Sequence, residues 1–296
     1  MARAERRLTD ARYRPFTPFA AWPRVAVDGR RWDEVAARLV RQQSESPPNA
    51  WARAQQVVLR AATLDAARQA DESDLTVVGT EASWRQAFAT KGLPGVQALY
   101  EAEAKAHALI GEAAAAGASL SEELLLRTHE ELVASHEQYP VEYGSESGNN
   151  IVLEPVPRGE YKTFENYGML HDGRRRLYAP PERVPAEVAR LVQEAQSEAL
   201  GAAHPVVQAA YLLYAVDAIH PFADGNGRAA RAVASLPFYR TVGLPLVVTP
   251  GGRRKYLASL EAYDRDGPAA LADFVFQRGI EAMTQAYDVL AASALS

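Results

Sequence analysis

The stretch His220–Arg231, HPFADGNGRAAR, brings together residue types that suit chemistry on a phosphate group. His220 has a near-neutral pKa and is a candidate general base. Asp224 is a lone carboxylate, and Mg²⁺ commonly takes one or two protein oxygens and completes its shell with phosphates and water. Arg228 and Arg231 are three residues apart, so they lie on one face of a helical turn and together suit a polyphosphate. The types and spacing predict nucleotide-dependent transfer onto a nucleophile that needs deprotonating.

The run Gly225-Asn226-Gly227 within this stretch is typical of a helix start that binds an anion. Glycine lets the backbone approach a ligand closely, and the free N–H groups of a helix start favour negative charge. Asn226 can add a side-chain donor, and the adjacent arginines should lower the pKa of the base and keep it neutral. No GxxxxGK[ST] pattern occurs, so this is not a Walker P-loop. Taken singly, these residues would fit an ordinary helix cap with surface arginines; the full set favours a site.

Composition limits the classes of partner. The 296 residues carry a net charge of -5 and no cysteine. Disulfides, thiolate metal sites and cysteine nucleophiles are therefore excluded, and the charge argues against nucleic acid or a membrane surface as a partner held by bulk electrostatics. No stretch approaches the roughly 18 apolar residues of a membrane span, and no apolar run of a signal peptide follows the basic N-terminus. We expect a cytoplasmic protein.

Apolar residues at three- and four-residue spacing predict an all-α scaffold that must position the site. The segment 205–219 is apolar on nearly every face, which places it in the middle of a bundle. It should end at His220, because Pro221 disfavours helical geometry in the residue before it. The predicted helices are 33–43, 50–70, 95–117, 122–137, 185–201, 205–219, 227–241, 251–265 and 269–290.

The remaining segments are predicted to be non-helical. Residues 71–83 form a polar break, and 138–150 are expected to be a loop. Asp172-Gly173 is a strong turn signal, which predicts a small β-hairpin within 163–178. His129 and His204 are isolated in helical context and are expected to be structural rather than metal ligands.

The whole stretch resembles the Fic family motif HPFx[DE]GN[GK]RxxR, which it matches at every position. The likeness extends over about 119–280, through LLLRTHEELV, GEYKTFENYGML, YAPPERVP and RRKYLASLEAYDRDG. The resemblance implies an all-α Fic-type helical bundle over residues 119–296. It also implies a β-hairpin flap near 163–178 and the active-site loop at 220–231, and the helical spacing before it predicts an N-terminal helical region over 1–118.

The resemblance further implies transfer of AMP from ATP, with Mg²⁺, to a Ser, Thr or Tyr hydroxyl of a target protein or of the protein itself. Two alternatives stay open: another phosphate-linked group, or a non-catalytic nucleotide-binding interaction module. Lys at position 227 is typical of phosphate transfer, so Gly227 favours AMP. By position, the resemblance makes His220 the base, Asp224 the Mg²⁺ ligand, and Gly225, Asn226 and Gly227 the anion hole. It makes Arg228 a ligand of the outer phosphates, and Arg231 either supports them or pairs with an acidic neighbour. Tyr256 and Asp264 fall where the family contacts the nucleoside, and Phe222 either borders the nucleotide or packs in the core.

Many Fic proteins carry an inhibitory helix with the pattern [ST]xxxE[GN], whose glutamate pairs with the second motif arginine, here Arg231. No full match occurs in this sequence. Ser119 and Glu123 have the spacing but are followed by Leu124, and Glu81 lacks the Ser or Thr four residues earlier. We therefore expect Arg231 to be open to the nucleotide. A separate small inhibitory protein and a second copy of the chain are further partners that the resemblance allows.

Overall fold

A computed structural model describes residues 13–69, 92–135, 138–145, 148–169, 175–248 and 253–294. The described chain is mostly helical, as predicted, with two small antiparallel hairpins. None of the described helices is long and apolar enough to cross a bilayer. The helices are α1 (Gly29–Glu45), α2 (Ala50–Gln69), α3 (Gly92–Ala115), α4 (Glu122–Leu132), α5 (Val184–Ala195), α6 (Glu198–Gly201), α7 (Pro205–Ile219), α8 (Asn226–Ala234), α9 (Leu236–Val242), α10 (Arg253–Asp266) and α11 (Ala269–Ala294).

Helix α7 is the centre of the bundle, as its uniform apolarity predicts. It begins at Pro205, whose fixed φ suits the first helical position, and the Nδ1 of His204 caps it by accepting from the N–H of Val206 at 3.2 Å. All but three of its side chains are buried, and α5, α8, α9 and α11 pack around it. The helix ends at His220, so its rigid end delivers the candidate base.

The N-terminal helices share this core. Helices α1 and α2 pack on α11, and α3 packs on α4 and α9. Trp32 of α1 is buried, with its ring 5.1 Å from that of Phe238 and 6.2 Å from that of Phe276. The boundary predicted after residue 118 lies in the turn between α3 and α4, and it stays a prediction.

The predicted flap hairpin is confirmed. Strands β3 (Tyr167–Met169) and β4 (Arg175–Leu177) are antiparallel, with Gly168 opposite Arg176. The turn signal at 172–173 lies outside the described residues.

The prediction that residues 138–150 form a loop is wrong. Strands β1 (Gln138–Ser145) and β2 (Gly148–Pro155) form a second antiparallel hairpin. Pro140, opposite Leu153, is one residue that favoured a loop. Both strands of a two-stranded ribbon are edges, however, and an edge strand tolerates the missing N–H of proline.

Helix ends also differ from the predictions. The helix predicted over 122–137 ends at Leu132, and that over 227–241 is divided at Ser235, with Pro237 in the first turn of α9. The helix predicted over 185–201 is likewise two helices, α5 and α6. The polar break predicted at 71–83 lies outside the described residues.

Candidate active site

The loop between α7 and α8 holds His220 in an unusual backbone conformation. Its φ is 51°, and among the described non-glycine residues it alone has a positive φ. A non-glycine residue in this region is strained and persists only where the surroundings hold it. Asn226, 2% exposed, closes the loop: its Oδ1 accepts from the N–H of Phe222 and its Nδ2 donates to the Phe222 carbonyl, both at 2.8 Å. The Asn226 amide therefore braces the loop that carries the candidate base.

His129 of α4 supports the same loop through contacts with Asp224 and Phe222. Its Nδ1 accepts from the N–H of Gly159 at 3.1 Å, which assigns the proton to Nε2, and Nε2 donates to the Asp224 carbonyl at 2.9 Å. The imidazole stacks on Phe222 with ring centroids 3.6 Å apart. Burial, more than any nearby charge, lowers the pKa of His129 to about 4. His129 is therefore the neutral structural histidine that the sequence predicts, and the burial of Phe222 favours packing over nucleotide contact.

His220 is held differently, with part of its surface exposed. Its Nδ1 lies 3.4 Å from the carbonyl of Asp217, and Tyr178 stacks on the ring at 3.7 Å. Burial lowers the pKa of His220 well below its usual value. The charges of Lys162 and Arg176 lower it further, against opposing contributions from the Asp217 carbonyl and Asp224. The imidazole is neutral, as predicted, but Lys162 and the flap arginine supply the main charges rather than the two motif arginines.

Asp224 offers a single carboxylate beside this imidazole. Its Oδ1 accepts from the N–H of Gly225 at 2.6 Å, and its Oδ2 lies 3.9 Å from Nη2 of Arg228. Within the described ranges no group of three or more His, Asp or Glu side chains could hold a metal alone. One carboxylate fits Mg²⁺, which binds nucleotides mainly through phosphate and water oxygens, and does not fit a metal held by the protein alone.

The start of α8 is open to an anion. Gly225 is the N-cap with φ 76°, and it contributes no capping side chain. The N–H groups of Asn226 and Gly227 are among the first four of the helix and have no acceptor within it. Nη1 of Arg231 lies 3.4 Å from where a Cβ on Gly227 would be. Among the described residues the Arg231 guanidinium has no hydrogen bond or ion pair, so positive charge lies over a helix start.

Arg228 lies on the inner side of the same helix. It is 4% exposed, and its Nη1 donates to the Leu132 carbonyl at 2.8 Å. Its guanidinium thus joins α8 to α4. The contact of Arg228 with outer phosphates stays a prediction, and Arg231 is the arginine that the structure leaves facing the site.

Tyr256 of α10 is brought to the site, whereas the side chain of Asp264 lies outside the described part of the chain. Tyr256 is 4% exposed, and its hydroxyl is buried without a hydrogen bond among the described residues. Burial raises its pKa most, Asp217 raises it further, and Arg231 lowers it. The Tyr256 hydroxyl therefore lies within electrostatic range of Asp217 and Arg231, and its contact with the nucleoside stays a prediction.

Sequence reasoning missed a buried acid–histidine pair on α3. Oε2 of Glu103 lies 3.7 Å from Nε2 of His107, and both side chains are nearly inaccessible. Burial raises the pKa of Glu103, against the charges of Arg228 and Arg231, and burial lowers the pKa of His107 to about 4. In the sequence α3 is an ordinary Ala- and Glu-rich helix, so no local signal marks this pair.

Glu81 and Glu123 are the two glutamates whose sequence context is nearest to the inhibitory pattern. Glu123 is exposed and lies 3.8 Å from Nη1 of Arg127 on its own helix. Glu81 lies outside the described residues. A different carboxylate, that of Glu103, is near enough to the two motif arginines for their charges to lower its pKa.

Taken together, the fold and site define a helical bundle in which a buried central helix ends at a neutral histidine and the next helix begins as an anion-binding loop. Residues 119–237 match the model of the Fic/DOC family. The chain carries a Fic/DOC-family domain over these residues, with the 220–231 loop near its C-terminal end.

Curated proteins similar to the chain have related names. The chain is 34% identical over 107 residues to protein adenylyltransferase fic-1 of Caenorhabditis briggsae, a match that covers 36% of the chain and 20% of that protein. It is 36% identical over 93 residues to a Fido domain-containing protein of Dictyostelium discoideum, covering 31% of the chain and 64% of that protein. The match to the adenylyltransferase spans about a fifth of that relative's length.

Solved structures resemble the chain over most of its length. A Fic domain containing signaling protein from Bacteroides thetaiotaomicron has a TM-score of 0.64 at 21% identity, covering 88% of this chain and 96% of that one. Fic-1 from C. elegans has a TM-score of 0.58 at 16% identity, covering 90% of this chain and 74% of the other. At these identities the likeness shows the fold, and it includes helices outside the family match.

Proposed function

We propose that the protein transfers AMP from ATP to a hydroxyl group of a target protein. One observation carries the proposal: the neutral, partly exposed His220 lies on the same short loop as the uncapped start of α8. A base and an anion site so close together suit attack by a hydroxyl on a bound phosphate. The adenylyltransferase names of the similar curated proteins support the same reaction.

The proposed chemistry assigns a task to each open group. Nδ1 of His220 faces the Asp217 carbonyl, so Nε2 is the nitrogen that takes the proton of the incoming hydroxyl. The hydroxyl oxygen forms a bond to the α-phosphorus while the bond from that phosphorus to the bridging oxygen breaks, and pyrophosphate leaves. The N–H groups of Asn226 and Gly227 and the guanidinium of Arg231 stabilise the charge that develops.

The metal assignment follows from the lone carboxylate. Asp224 would hold Mg²⁺ together with phosphate oxygens and water. When bound, the ion neutralises charge on the departing pyrophosphate. The protein's own contribution is to fix this carboxylate through the Gly225 N–H, at 2.6 Å, and through His129 on the Asp224 carbonyl.

The labelled phosphate of ATP distinguishes the alternatives. The purified protein is incubated with Mg²⁺, a cell lysate and ATP labelled at either the α- or the γ-phosphate, with His220→Ala as the control. Protein labelled from the α position alone supports AMP transfer. Label from the γ position alone would identify phosphate transfer, and label from neither would leave a nucleotide-binding interaction module.

A further inference from the structure

Lys162, just before the flap, is tied to the loop that carries the base. Its backbone N–H donates to the Pro221 carbonyl at 2.9 Å. Its side chain, in a residue only 3% exposed, donates from Nζ to Oδ1 of Asn166 at 2.5 Å. Asn166 in turn donates from Nδ2 to the Phe222 carbonyl at 3.1 Å. Lys162 and Asn166 thus bond both residues that follow His220.

These bonds act on a strained segment. His220 has a left-handed backbone conformation, which persists only where neighbouring contacts over-determine it. Asn226 holds the segment from the α8 side, and the Lys162–Asn166 pair holds it from the flap side. The orientation of the imidazole therefore depends on the first residues of the flap as well as on the motif.

Lys162 also brings a positive charge close to the imidazole. After burial, its charge is the largest influence that lowers the pKa of His220. Burial lowers the pKa of Lys162 itself to about 7, against the raising effect of Glu165. The ammonium group is therefore charged below about pH 7, which is the range in which an ordinary imidazole would take up a proton.

The other groups that face these two side chains come from three elements. From β4 and the residue after it, Arg176 lowers the pKa of His220, and Tyr178 stacks on the imidazole, with its ring 5.9 Å from Nζ of Lys162. From α7, Asp217 lies 3.3 Å from Nη1 of Arg176. From the loop, Asp224 raises the pKa of His220. The Asp224 carboxylate and the bond to the Asp217 carbonyl raise the pKa of His220 against the two cations, so the loss of one cation favours the protonated imidazole.

We propose that Lys162 is a positioning residue for the transfer reaction, which anchors the start of the flap to the strained loop at His220 and places a buried ammonium group next to Tyr178, the ring that stacks on the imidazole. Only the turnover measurements for this proposal rest on the proposed role of His220 as the base. Its effect on the imidazole is a property of the protein without nucleotide or target.

Three substitutions separate the anchor from the charge. Lys162→Arg keeps the charge and a donor toward Asn166, Lys162→Gln keeps an amide donor without the charge, and Lys162→Met removes the side-chain donor and the charge while it leaves the backbone bond to Pro221. Lys255→Met is the matched control, because Lys255 is exposed on α10. The titration of His220 is followed by NMR in the free protein, with the resonance assigned from its loss in His220→Gln.

We expect the midpoint for His220 to rise by about one pH unit in Lys162→Gln and Lys162→Met, and to stay at its wild-type value in Lys162→Arg and Lys255→Met. In transfer assays, the pH midpoint of the acidic limb of the kcat–pH profile should rise by the same amount in Lys162→Gln and Lys162→Met. The ATP affinity of both variants, measured by calorimetry, should be unchanged. If Lys162→Met fails to fold, Lys162→Gln carries the test.

An unchanged His220 midpoint in folded Lys162→Gln, or an equal rise in Lys162→Arg, would overturn the proposal. The NMR titration also separates this proposal from the proposed function. A shifted midpoint in a protein that transfers no label refutes AMP transfer and leaves the role of Lys162 toward the imidazole intact.

Discussion

The two faces of the 220–231 loop differ in where their side chains are directed. On the buried face, Phe222 stacks on His129, Asn226 bonds both backbone groups of residue 222, and Arg228 bonds the Leu132 carbonyl. The polar groups of Asn226 and Arg228 form hydrogen bonds within the protein. The residues of the buried face therefore stabilise the conformation of the loop.

The open face carries His220, Asp224 and Arg231, the side chains proposed to contact the nucleophile, the metal and the phosphates. His220 is partly exposed, and Arg231 has no ion pair within the described part of the chain. A motif that is continuous in sequence is therefore divided into residues whose bonds shape the loop and residues that are proposed to act on the substrate. Substitutions on the two faces should differ in kind: loss of activity with stability kept on the open face, and loss of stability on the buried face.

The largest effect is expected from His220→Ala. Removal of a general base lowers turnover by about 10²–10⁴-fold, while ATP affinity should be kept because the base acts on the nucleophile. Label transfer, calorimetry with ATP and thermal unfolding test this together. A loss of ATP affinity as large as the loss of turnover, or a loss of stability, would show that His220 has a structural role like the residues of the buried face.

Asp224→Ala should remove the Mg²⁺ dependence of ATP binding together with activity. The reason is that the site offers one carboxylate to the metal, and the change leaves none in its place. ATP affinity is measured by calorimetry with and without Mg²⁺. Metal dependence that survives the change would show that Asp224 is not the ligand.

His129→Ala should destabilise the protein by about 3 kcal/mol at pH 7, because it removes a buried ring and two hydrogen bonds. The folded-state pKa of His129, about 4, is below its unfolded value, so the stabilising contribution is full above about pH 6.5 and is lost as the pH falls toward 4. At pH 5 the penalty should therefore be smaller by about 2 kcal/mol.

Urea unfolding at the two pH values measures this difference. A penalty that stays constant between pH 7 and pH 5 would mean that His129 is not held neutral in the folded protein.

The smallest effect is expected in the flap. A Cβ on Gly168 would lie 2.6 Å from the hydroxyl oxygen of Tyr178, whose ring stacks on His220. Gly168→Ala should therefore displace that ring and lower label transfer about tenfold, or about 1.4 kcal/mol, with ATP affinity unchanged. Gly29→Ala is the control, since a Cβ there has no neighbour within 4 Å. Equal activities of the two variants would show that the stacked tyrosine does not support the base.

The sequence predicts the helical scaffold and the chain position of the site because both depend on local patterns. Apolar spacing locates the helices, and the proline at 221 marks the end of α7. The 138–155 hairpin is missed because proline and glycine in Tyr139–Gly144 are typical of loops. Strand pairing there depends on residues up to 17 positions away, such as Gln138 with Pro155, which periodicity does not detect.

The supports of the site are hidden from sequence for a similar reason. His129 meets Asp224 across 95 positions, and Asn166 meets Phe222 across 56. The direction of the Arg228 guanidinium depends on the Leu132 carbonyl, 96 positions away. Residue types and spacing indicate the chemistry, whereas these long-range bonds decide which motif side chains remain open to perform it.

A crystal structure with Mg²⁺ and a non-hydrolysable ATP analogue would test the division of the loop most directly. We predict that phosphate oxygens accept from the N–H groups of Asn226 and Gly227 and from Arg231, with the metal on Asp224 and the α-phosphorus on the exposed side of His220. The Asn226 and Arg228 side chains should keep their present partners. A nucleotide bound away from the start of α8, or phosphates held by Asn226 and Arg228 side chains turned outward, would contradict it.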